Sequence, residues 1–311
     1  MLAPSVIAGV VSALLYTFVF TFGLGLLFLF LPTLPIFWLG LSGRSDPALH
    51  AVLVATILIS LFFNPVGALF VYALGLGLPA WYIARESMRH GRNGSLTIWF
   101  PMTVIFARLM VVIAFALLAV TLYYADGKGG LAGAITPYIH AALAHFSAEI
   151  DDEASAMLKA AAPKITFLVF SVSAWMWALC LYLHSWVVNR ELQRQKITTR
   201  SETVIAAFPP PNWMISLLLI AAIASLIGGE SLAFWGKSSL MILLFPHFLF
   251  GLMLLHAQTR RNEYRFLLLF FMYFLLAALL WPVVIVAGYG LIYHIGLLNK
   301  YLSAGGNSSR S

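Results

Sequence analysis

The chain has 311 residues, of which 62% are hydrophobic and 9% are charged, and its formal net charge is +7. Soluble domains carry about 25% charged residues, so this composition excludes an ordinary water-soluble globule and points to lipid as the solvent. The sequence holds no nucleic-acid motif, and the positive balance is typical of cytoplasmic loops rather than of a nucleic-acid partner. The single cysteine, Cys180, excludes an internal disulfide or a Cys-based zinc site.

Apolar segments of the length that crosses a bilayer, about 20 residues, follow one another along the chain. The first apolar stretch, 2–42, contains Pro32 and Pro35, so it predicts two passes or one long helix followed by a broken segment. Later segments lie near 47–63, 66–84, 96–124, 165–189, 213–229, 237–257 and 264–298. We predict an all-α, polytopic transmembrane helical bundle of about 8–10 membrane segments, which forms a single integral membrane domain over 1–311.

One insert with polar residues, 125–163, interrupts the apolar pattern. It opens with Gly129-Gly130, and from Ile135 onward its apolar residues recur at roughly helical spacing. We predict an external, periplasmic amphipathic helix that rests on the bundle or on the membrane surface. The alternative is a simple spacer hairpin.

The distribution of basic residues predicts the orientation. Lys and Arg concentrate in one alternating set of loops: Arg44, Arg85, Arg89, Arg92, Arg190, Arg194, Lys196, Arg200, Arg260, Arg261 and Arg265. Loops enriched in Lys and Arg stay in the cytoplasm. We therefore predict a multi-pass protein of the bacterial inner membrane, with the loops 85–95, 190–212 and 257–265 in the cytoplasm and 125–163 in the periplasm.

Arg108 is the most informative single residue of the sequence. It lies inside the apolar run WFPMTVIFARLMVVIAF. An arginine within a membrane segment costs at least about 2.5 kcal/mol on insertion scales, so it usually faces protein or water and has a partner. We predict that Arg108 contacts an anionic or polar group of a ligand. The structural alternative is an arginine that snorkels to the interface or pairs with backbone carbonyls.

His247 is the second candidate ligand-binding residue. It follows Pro246 in FPHFLFG, near the middle of an apolar segment. Proline leaves a helix carbonyl without its donor, and an imidazole can satisfy that carbonyl. The sequence thus favours a hydrogen-bonded histidine at a kink, and a proton relay or a ligand contact is the functional alternative.

The sequence predicts no catalysis. Gly40-Leu41-Ser42-Gly43 resembles the loop of rhomboid-type intramembrane proteases only superficially, because Ser42 lies at the predicted cytoplasmic edge and His247 lies roughly 15 Å inside. A nucleophile and its base must lie within about 3 Å of each other. The sequence also has no HExxH, Walker A or Rossmann motif, so we expect a non-enzymatic protein without a metal or a cofactor.

The first helix carries small residues on adjacent faces, with Ala8 and Ser12 on one and Gly9 and Ala13 on the other. Small residues let helices approach closely, so these positions predict a docking surface for another membrane protein. Ordinary packing inside the bundle is the equal alternative.

Three stretches resemble the domain of unknown function 2232 family of bacterial membrane proteins. They are LPTLPIFWLGLSGRSDPALHAVLVA; VSAWMWALCLYLHSWVVNREL with its basic loop ending FPPPNW; and LLFPHFLFGLMLLHAQTRRNEYRFLLLFFMYFLL with the closing GLIYHIGLLNKYL. In place of the more usual acidic residues after the closing Gly-Leu-Leu, this chain has Asn299 and Lys300, which weakens any role assigned to those positions. The resemblance implies no activity.

The resemblance does imply a fold related to the substrate-binding subunits of energy-coupling-factor transporters. Such subunits bind a small ligand in a helical bundle and dock on a partner through small residues of the first helix, which match Ala8, Gly9, Ser12 and Ala13 here. The leading hypothesis is a transporter-subunit-like protein of the lipid bilayer that binds a small hydrophobic or amphipathic ligand. The alternative is a membrane scaffold without a small-molecule ligand.

The predicted orientation is directly testable. Single cysteines placed in a Cys180→Ala background are exposed to an impermeant thiol reagent on intact spheroplasts. We expect labelling at 135–160 and none at 190–212. The reverse pattern would overturn the orientation.

Overall fold

The structure, a computed structural model, describes residues 2–22, 26–93, 96–147, 152–198, 200, 208–279 and 281–308. It confirms the predicted all-α polytopic helical bundle. Within the described residues, seven helices are long and apolar enough to cross a membrane: Ala3–Thr21, Ser45–Phe62, Pro65–Ser87, Met102–Tyr123, Thr166–Arg194, Glu230–Arg261 and Trp281–Lys300. Shorter apolar helices occupy Phe28–Leu41, Trp213–Ile227 and Arg265–Leu276.

The helical elements follow in chain order. The first are α1 (Leu2–Thr21), a 3-10 segment (Leu26–Thr33), α2 (Leu34–Leu41), α3 (Ser45–Phe62), α4 (Pro65–Gly67), a π-helical segment (Ala68–Gly77) and α5 (Leu78–Ser87). An antiparallel hairpin of β1 (His90–Asn93) and β2 (Leu96–Trp99) comes next. Then follow α6 (Met102–Tyr123), α7 (Gly130–Ser147), α8 (Asp152–Arg194), α9 (Trp213–Ile227), α10 (Glu230–Gln258), a 3-10 turn (Thr259–Arg261), α11 (Arg265–Ala278) and α12 (Trp281–Ser308).

Local turn chemistry ends and starts the early helices. After α2 the backbone N–H of Arg44 donates to the carbonyl of Leu39, and Gly43 adopts a φ of 84°. This is a Schellman ending, in which glycine takes the left-handed conformation without steric cost. Before α4 the side chain of Asn64 accepts a hydrogen bond from the backbone N–H of Val66 at 2.8 Å, as an N-cap residue does.

The chain divides into two compact units. Unit 1 comprises Met1–Ile105 and Met176–Val204, and unit 2 comprises Phe106–Trp175 and Ile205–Ser311. In unit 1, α1 packs on α3 at Gly9. A Cβ added to Gly9 would lie 2.8 Å from the carbonyl oxygen of Ala51 and 2.8 Å from Cβ of Val54, so glycine permits this close approach.

A buried polar cluster joins three segments of unit 1. Ser12 Oγ donates to the carbonyl of Pro32 at 2.6 Å and lies 2.6 Å from the hydroxyl of Tyr72. Because a serine hydroxyl has one proton, Tyr72 is the donor in the second bond. Both side chains are fully buried, and the three hydrogen-bonding groups satisfy one another in an apolar surrounding.

The π-helical segment Ala68–Gly77 carries Tyr72 in a wide turn that the sequence did not predict. The indole Nε1 of Trp177, in α8, donates to the carbonyl of Gly75 at 2.6 Å. In a π-helix the carbonyls pair with an N–H five residues ahead instead of four. The indole thus supplies a side-chain donor to a carbonyl of this unusual stretch.

The insert over 125–163 contains two described helical parts, α7 and the start of α8, while residues 148–151 lie outside the described part of the chain. The sequence predicted one helix over about 135–162. Instead α8 runs for 43 residues and continues from the insert into the membrane span. In unit 2 the start of α7 meets α10, because a Cβ on Gly130 would lie 2.8 Å from Oγ of Ser231.

Bulk added at Gly9 should destabilise unit 1. We expect Gly9→Leu to lower the unfolding free energy by about 1–3 kcal/mol, because the side chain must displace the backbone of α3. Ala3→Leu adds bulk at an exposed position of the same helix and should change little. Thermal unfolding of both variants in detergent compares them, and equal melting temperatures would contradict the close packing.

Candidate functional site

Three polar side chains of unit 2 form a connected chain that leads from an exposed residue to a fully buried one. Nε2 of His247 lies 3.3 Å from Nδ1 of His294, and Nε2 of His294 lies 3.1 Å from Oδ1 of Asn212. His247 is 0% exposed and His294 1%, whereas Asn212 is exposed. We call these three residues the histidine chain.

Two glycine contacts between α10 and α12 bring the histidines together. A Cβ on Gly290 would overlap the carbonyl oxygen of His247, and a Cβ on Gly251 would overlap the carbonyl oxygen of Val286. The backbones of α10 and α12 therefore touch at two positions one turn apart, and one of these contacts is made by the carbonyl of His247 itself. Asn212 completes the chain from the residue directly before α9, which packs against α10.

The sequence favoured a hydrogen-bonded histidine at the kink of Pro246, with a proton relay or a ligand contact as the functional alternative. In the structure Nε2 of His247 instead bonds to a side chain 47 residues further along. Its other nitrogen, Nδ1, faces the carbonyl of Leu243 in its own helix without reaching good hydrogen-bond geometry. His247 is thus part of a polar network between helices, which is a common mark of functional sites inside membrane bundles.

Arg108 lies in a different environment from His247. Its side chain is exposed on α6, whereas His247 is fully buried. Exposure on a membrane helix fits either an arginine that meets a ligand or one that snorkels to the interface. The ligand-binding role of Arg108 and His247 stays a prediction.

The small residues of the first helix lie in the packing of unit 1. Gly9, Ser12 and Ala13 are buried, and Ala8 is half-buried. Gly9 contacts α3, and Ser12 donates to the carbonyl of Pro32. Internal packing, which the sequence left open as an alternative, therefore accounts for their small size. Docking of another protein through this helix stays a prediction.

A second candidate site is an open cavity in unit 1, at the base of the β-hairpin. Its volume is about 430 Å³, within the range of small-molecule pockets. The cavity is lined by Arg89, His90, Gly91, Ile98, Trp99, Phe100 and Pro101. We call it the hairpin pocket. Aromatic and aliphatic side chains form most of its wall, and Arg89 supplies a positive charge.

Buried Glu86 fixes one edge of the hairpin pocket. Nη1 of Arg89 lies 2.9 Å from Oε2 and 3.2 Å from Oε1 of Glu86, whose side chain is 5% exposed. The side chain of Arg89 is 62% exposed, so its remaining N–H groups face outward. Arg89 is therefore held in place by one anion and has donors left for another.

Further arginines gather at this end of unit 1. The guanidinium of Arg200 donates to the carbonyl of Ser87, and Arg85 lies 5.3 Å above the ring of Trp81. Thr198 contacts the sulfur of Met88 at 3.9 Å, which ties the segment after α8 to the end of α5. The hairpin pocket thus lies in a basic part of the surface.

Sequence reasoning missed His294, Asn212 and the hairpin. His294 and Asn212 gave no local signal, because their partners are distant in sequence. The hairpin did have a local sequence signal, because Asn93-Gly94 is a dipeptide that strongly favours a hairpin turn. Residues 94–95 themselves lie outside the described part of the chain. Its strands of four residues are too short to show a clear alternating pattern.

Metal ligands do not cluster in the described ranges, which contain no group of three or more His, Cys, Asp or Glu residues able to hold an ion. Cys180 is buried in α8. Ser42 Oγ donates to the carbonyl of Leu39 at 2.8 Å, as part of the turn that ends α2.

The sequence matches a known protein family. A protein-family model described as "Predicted membrane protein (DUF2232)" matches residues 9–292. No curated protein and no solved structure matches the chain.

The contact of α10 with α12 can be tested by a matched pair of glycine substitutions. Gly290→Ala should lower the unfolding free energy by about 1–3 kcal/mol, because the methyl group meets the backbone of His247. Gly288, in the same helix, has open space around its Cβ position. Gly288→Ala should be neutral or stabilising by about 0.5–1 kcal/mol. Thermal unfolding in lipid nanodiscs measures both, and similar losses in the two variants would argue against the crossing.

Proposed function

The chain belongs to the DUF2232 family of predicted membrane proteins, and we propose that this multi-pass member binds a small amphipathic molecule with an acidic head group. The observation that carries the proposal is the hairpin pocket, which combines an apolar wall with an anchored arginine. A ligand with an apolar part and a negative charge matches both features. This refines the amphipathic ligand expected from the sequence and moves its site from Arg108 and His247 to the hairpin.

The apolar wall of the pocket favours an alkyl or aromatic group. Ile98 is 41% exposed, and Trp99 and Phe100 are half-buried. The ring of Trp99 packs at 4.9 Å on that of His90, on the paired strand. Covering these side chains with an apolar ligand removes their surface from water, a gain of about 25 cal/mol per Å².

The charge at the rim favours an acidic head group. Arg89 has unused donors in a planar fork, which suits the oxygens of a phosphate or carboxylate. Arg85 is exposed in the last turn of α5, four residues before Arg89. Arg89 is paired with the carboxylate of Glu86, whose negative charge is therefore already matched.

The proposed place of action is the cytoplasmic leaflet of the inner membrane. The hairpin lies within the loop 85–95 and its continuation, which the distribution of Lys and Arg assigns to the cytoplasm. Amphipathic molecules accumulate in the interfacial layer, and the two spans that flank the hairpin, Pro65–Ser87 and Met102–Tyr123, hold it close to that layer. The ligand then reaches the pocket directly from the bilayer.

We propose that the pocket binds its ligand without catalysis. The seven residues that line the pocket include no hydroxyl, thiol or carboxylate side chain. Nδ1 of His90, which also lines the pocket, lies 3.3 Å from the carbonyl of Met88. Binding alone fits a ligand-binding subunit of a transport system, in line with the hypothesis from the sequence.

The test uses the whole protein in phosphatidylcholine nanodiscs, with fluorescent dodecyl phosphate as the probe. We expect saturable binding to the wild type and none of a dodecyl trimethylammonium probe. Arg89→Gln should weaken dodecyl phosphate binding by roughly 10-fold or more, the usual effect of losing a charged hydrogen bond. Fluorescence anisotropy measures the dissociation constants.

Two further variants serve as controls for this experiment. Arg194→Gln removes an arginine that also pairs with a glutamate three residues earlier, Glu191, but does not line the pocket. It should change the dissociation constant by about twofold at most. Glu86→Gln/Arg89→Gln leaves no stranded buried carboxylate and should still lose the probe. Equal binding by the Arg89 and Arg194 variants would refute the pocket, and absence of wild-type binding would favour a scaffold role.

A further inference from the structure

The hydrogen atoms of the histidine chain can be assigned from its geometry. Oδ1 of Asn212 can only accept, so Nε2 of His294 must donate to it. A neutral imidazole has one donor and one acceptor, so Nδ1 of His294 then accepts from Nε2 of His247. With the hydrogen bonds in this direction, Nδ1 of His247 carries no hydrogen and is an acceptor.

That last nitrogen has no suitable partner. Nδ1 of His247 is buried without a hydrogen bond, and the group it faces is the carbonyl of Leu243, which is also an acceptor. Two acceptors that face each other in an apolar surrounding are unfavourable. When both histidines are neutral and Oδ1 of Asn212 faces His294, one hydrogen is therefore missing between Nδ1 of His247 and the carbonyl of Leu243.

Two changes complete the chain. If the pair takes up one proton, Nδ1 of His247 donates to the carbonyl of Leu243, and every other bond stays as it is. If instead the amide of Asn212 turns by half a rotation, its NH₂ group donates to Nε2 of His294. Each bond then reverses, and Nδ1 of a neutral His247 again donates to Leu243.

From this geometry we infer that His247 and His294 form one site that binds a single proton, with Asn212 turning as the site loads. The charged pair is matched by Oδ1 of Asn212, and the neutral pair by its NH₂ group. A second proton does not fit, because Nδ1 of His294 and Nε2 of His247 would then both be donors at 3.3 Å. The two rings act as one proton acceptor.

Charged and titratable groups also lie on the helices around the pair: Arg108 and Tyr123 on α6, Tyr138 and His140 on α7, Glu230, Lys237 and His256 on α10, Arg265 and Tyr273 on α11, and Tyr289, Tyr293 and Lys300 on α12. Helix α9 and the described side chains of α8 in unit 2 contribute none. The side-chain hydrogen bonds of the two rings run to each other and to Asn212, so the proton is shared within the histidine chain.

A route for the proton exists at Asn212. The side chain of Asn212 is exposed. Asn212 directly precedes α9, whose 15 residues extend for about 22 Å. This length is less than the roughly 30 Å of the hydrocarbon core. Asn212 closes the loop 190–212, which the distribution of basic residues places in the cytoplasm. The proton therefore enters from that side, independently of any ligand in the hairpin pocket.

The experiment follows the ring nitrogens of the full chain in nanodiscs by ¹⁵N-histidine NMR from about pH 8 down to about pH 3, well below the ordinary pKa of an imidazole. His247→Gln and His294→Gln assign the signals. We expect the signals of both rings to change in one common step that adds one proton. Two separate steps, or no change in either ring, would overturn the proposal.

Variants of Asn212 test its part. Asn212→Asp provides a fixed acceptor with a negative charge, so the pair should be charged at a pH at which the wild-type pair is neutral. Asn262→Asp adds the same charge at an exposed loop position and should leave the ring signals unchanged. If Asn212→Asp leaves the pair neutral, or if both variants shift it equally, Asn212 does not control the site.

Discussion

Contact between helix backbones at glycine shapes both units of this protein. Lipid tails are as apolar as the helices, so helix association in a membrane relies on close packing rather than on the hydrophobic effect. Gly9 provides that packing in unit 1, and Gly251 and Gly290 provide it in unit 2. Each crossing also shelters polar groups close by, the serine–tyrosine pair in one unit and the two histidines in the other.

The same constraint explains which polar groups the interior tolerates. Without water, every buried donor and acceptor needs a partner within the protein. Ser12 meets this demand with two bonds, and Trp177 meets it by donating to Gly75. The histidine chain satisfies all of its donors and acceptors only when it binds a proton or when the amide of Asn212 turns. A polar network with one group missing is thus a natural place for a ligand as small as a proton.

Local features of the fold could be read from the sequence, whereas long-range contacts could not. Apolar runs gave the spans, and the breaks at Gly43 and Asn64 follow from turn chemistry within a few residues. His247 was recognised as unusual, yet its partner His294 lies in another helix, and hydropathy contains no information on which faces meet. The hairpin pocket was missed because it depends on pairing of two short strands, such as His90 with Trp99.

Helix α8 is longer than a membrane span requires. Its 43 residues extend for about 65 Å, more than twice the roughly 30 Å of the hydrocarbon core. The candidate span within it, Thr166–Arg194, has 29 residues, so the 14 residues before Thr166 lie outside that span. It begins in the insert and ends at Arg194, close in sequence to the segment that contacts α5. The insert and the segment after Arg194 are thus joined by one uninterrupted helix, with no loop between them in the chain.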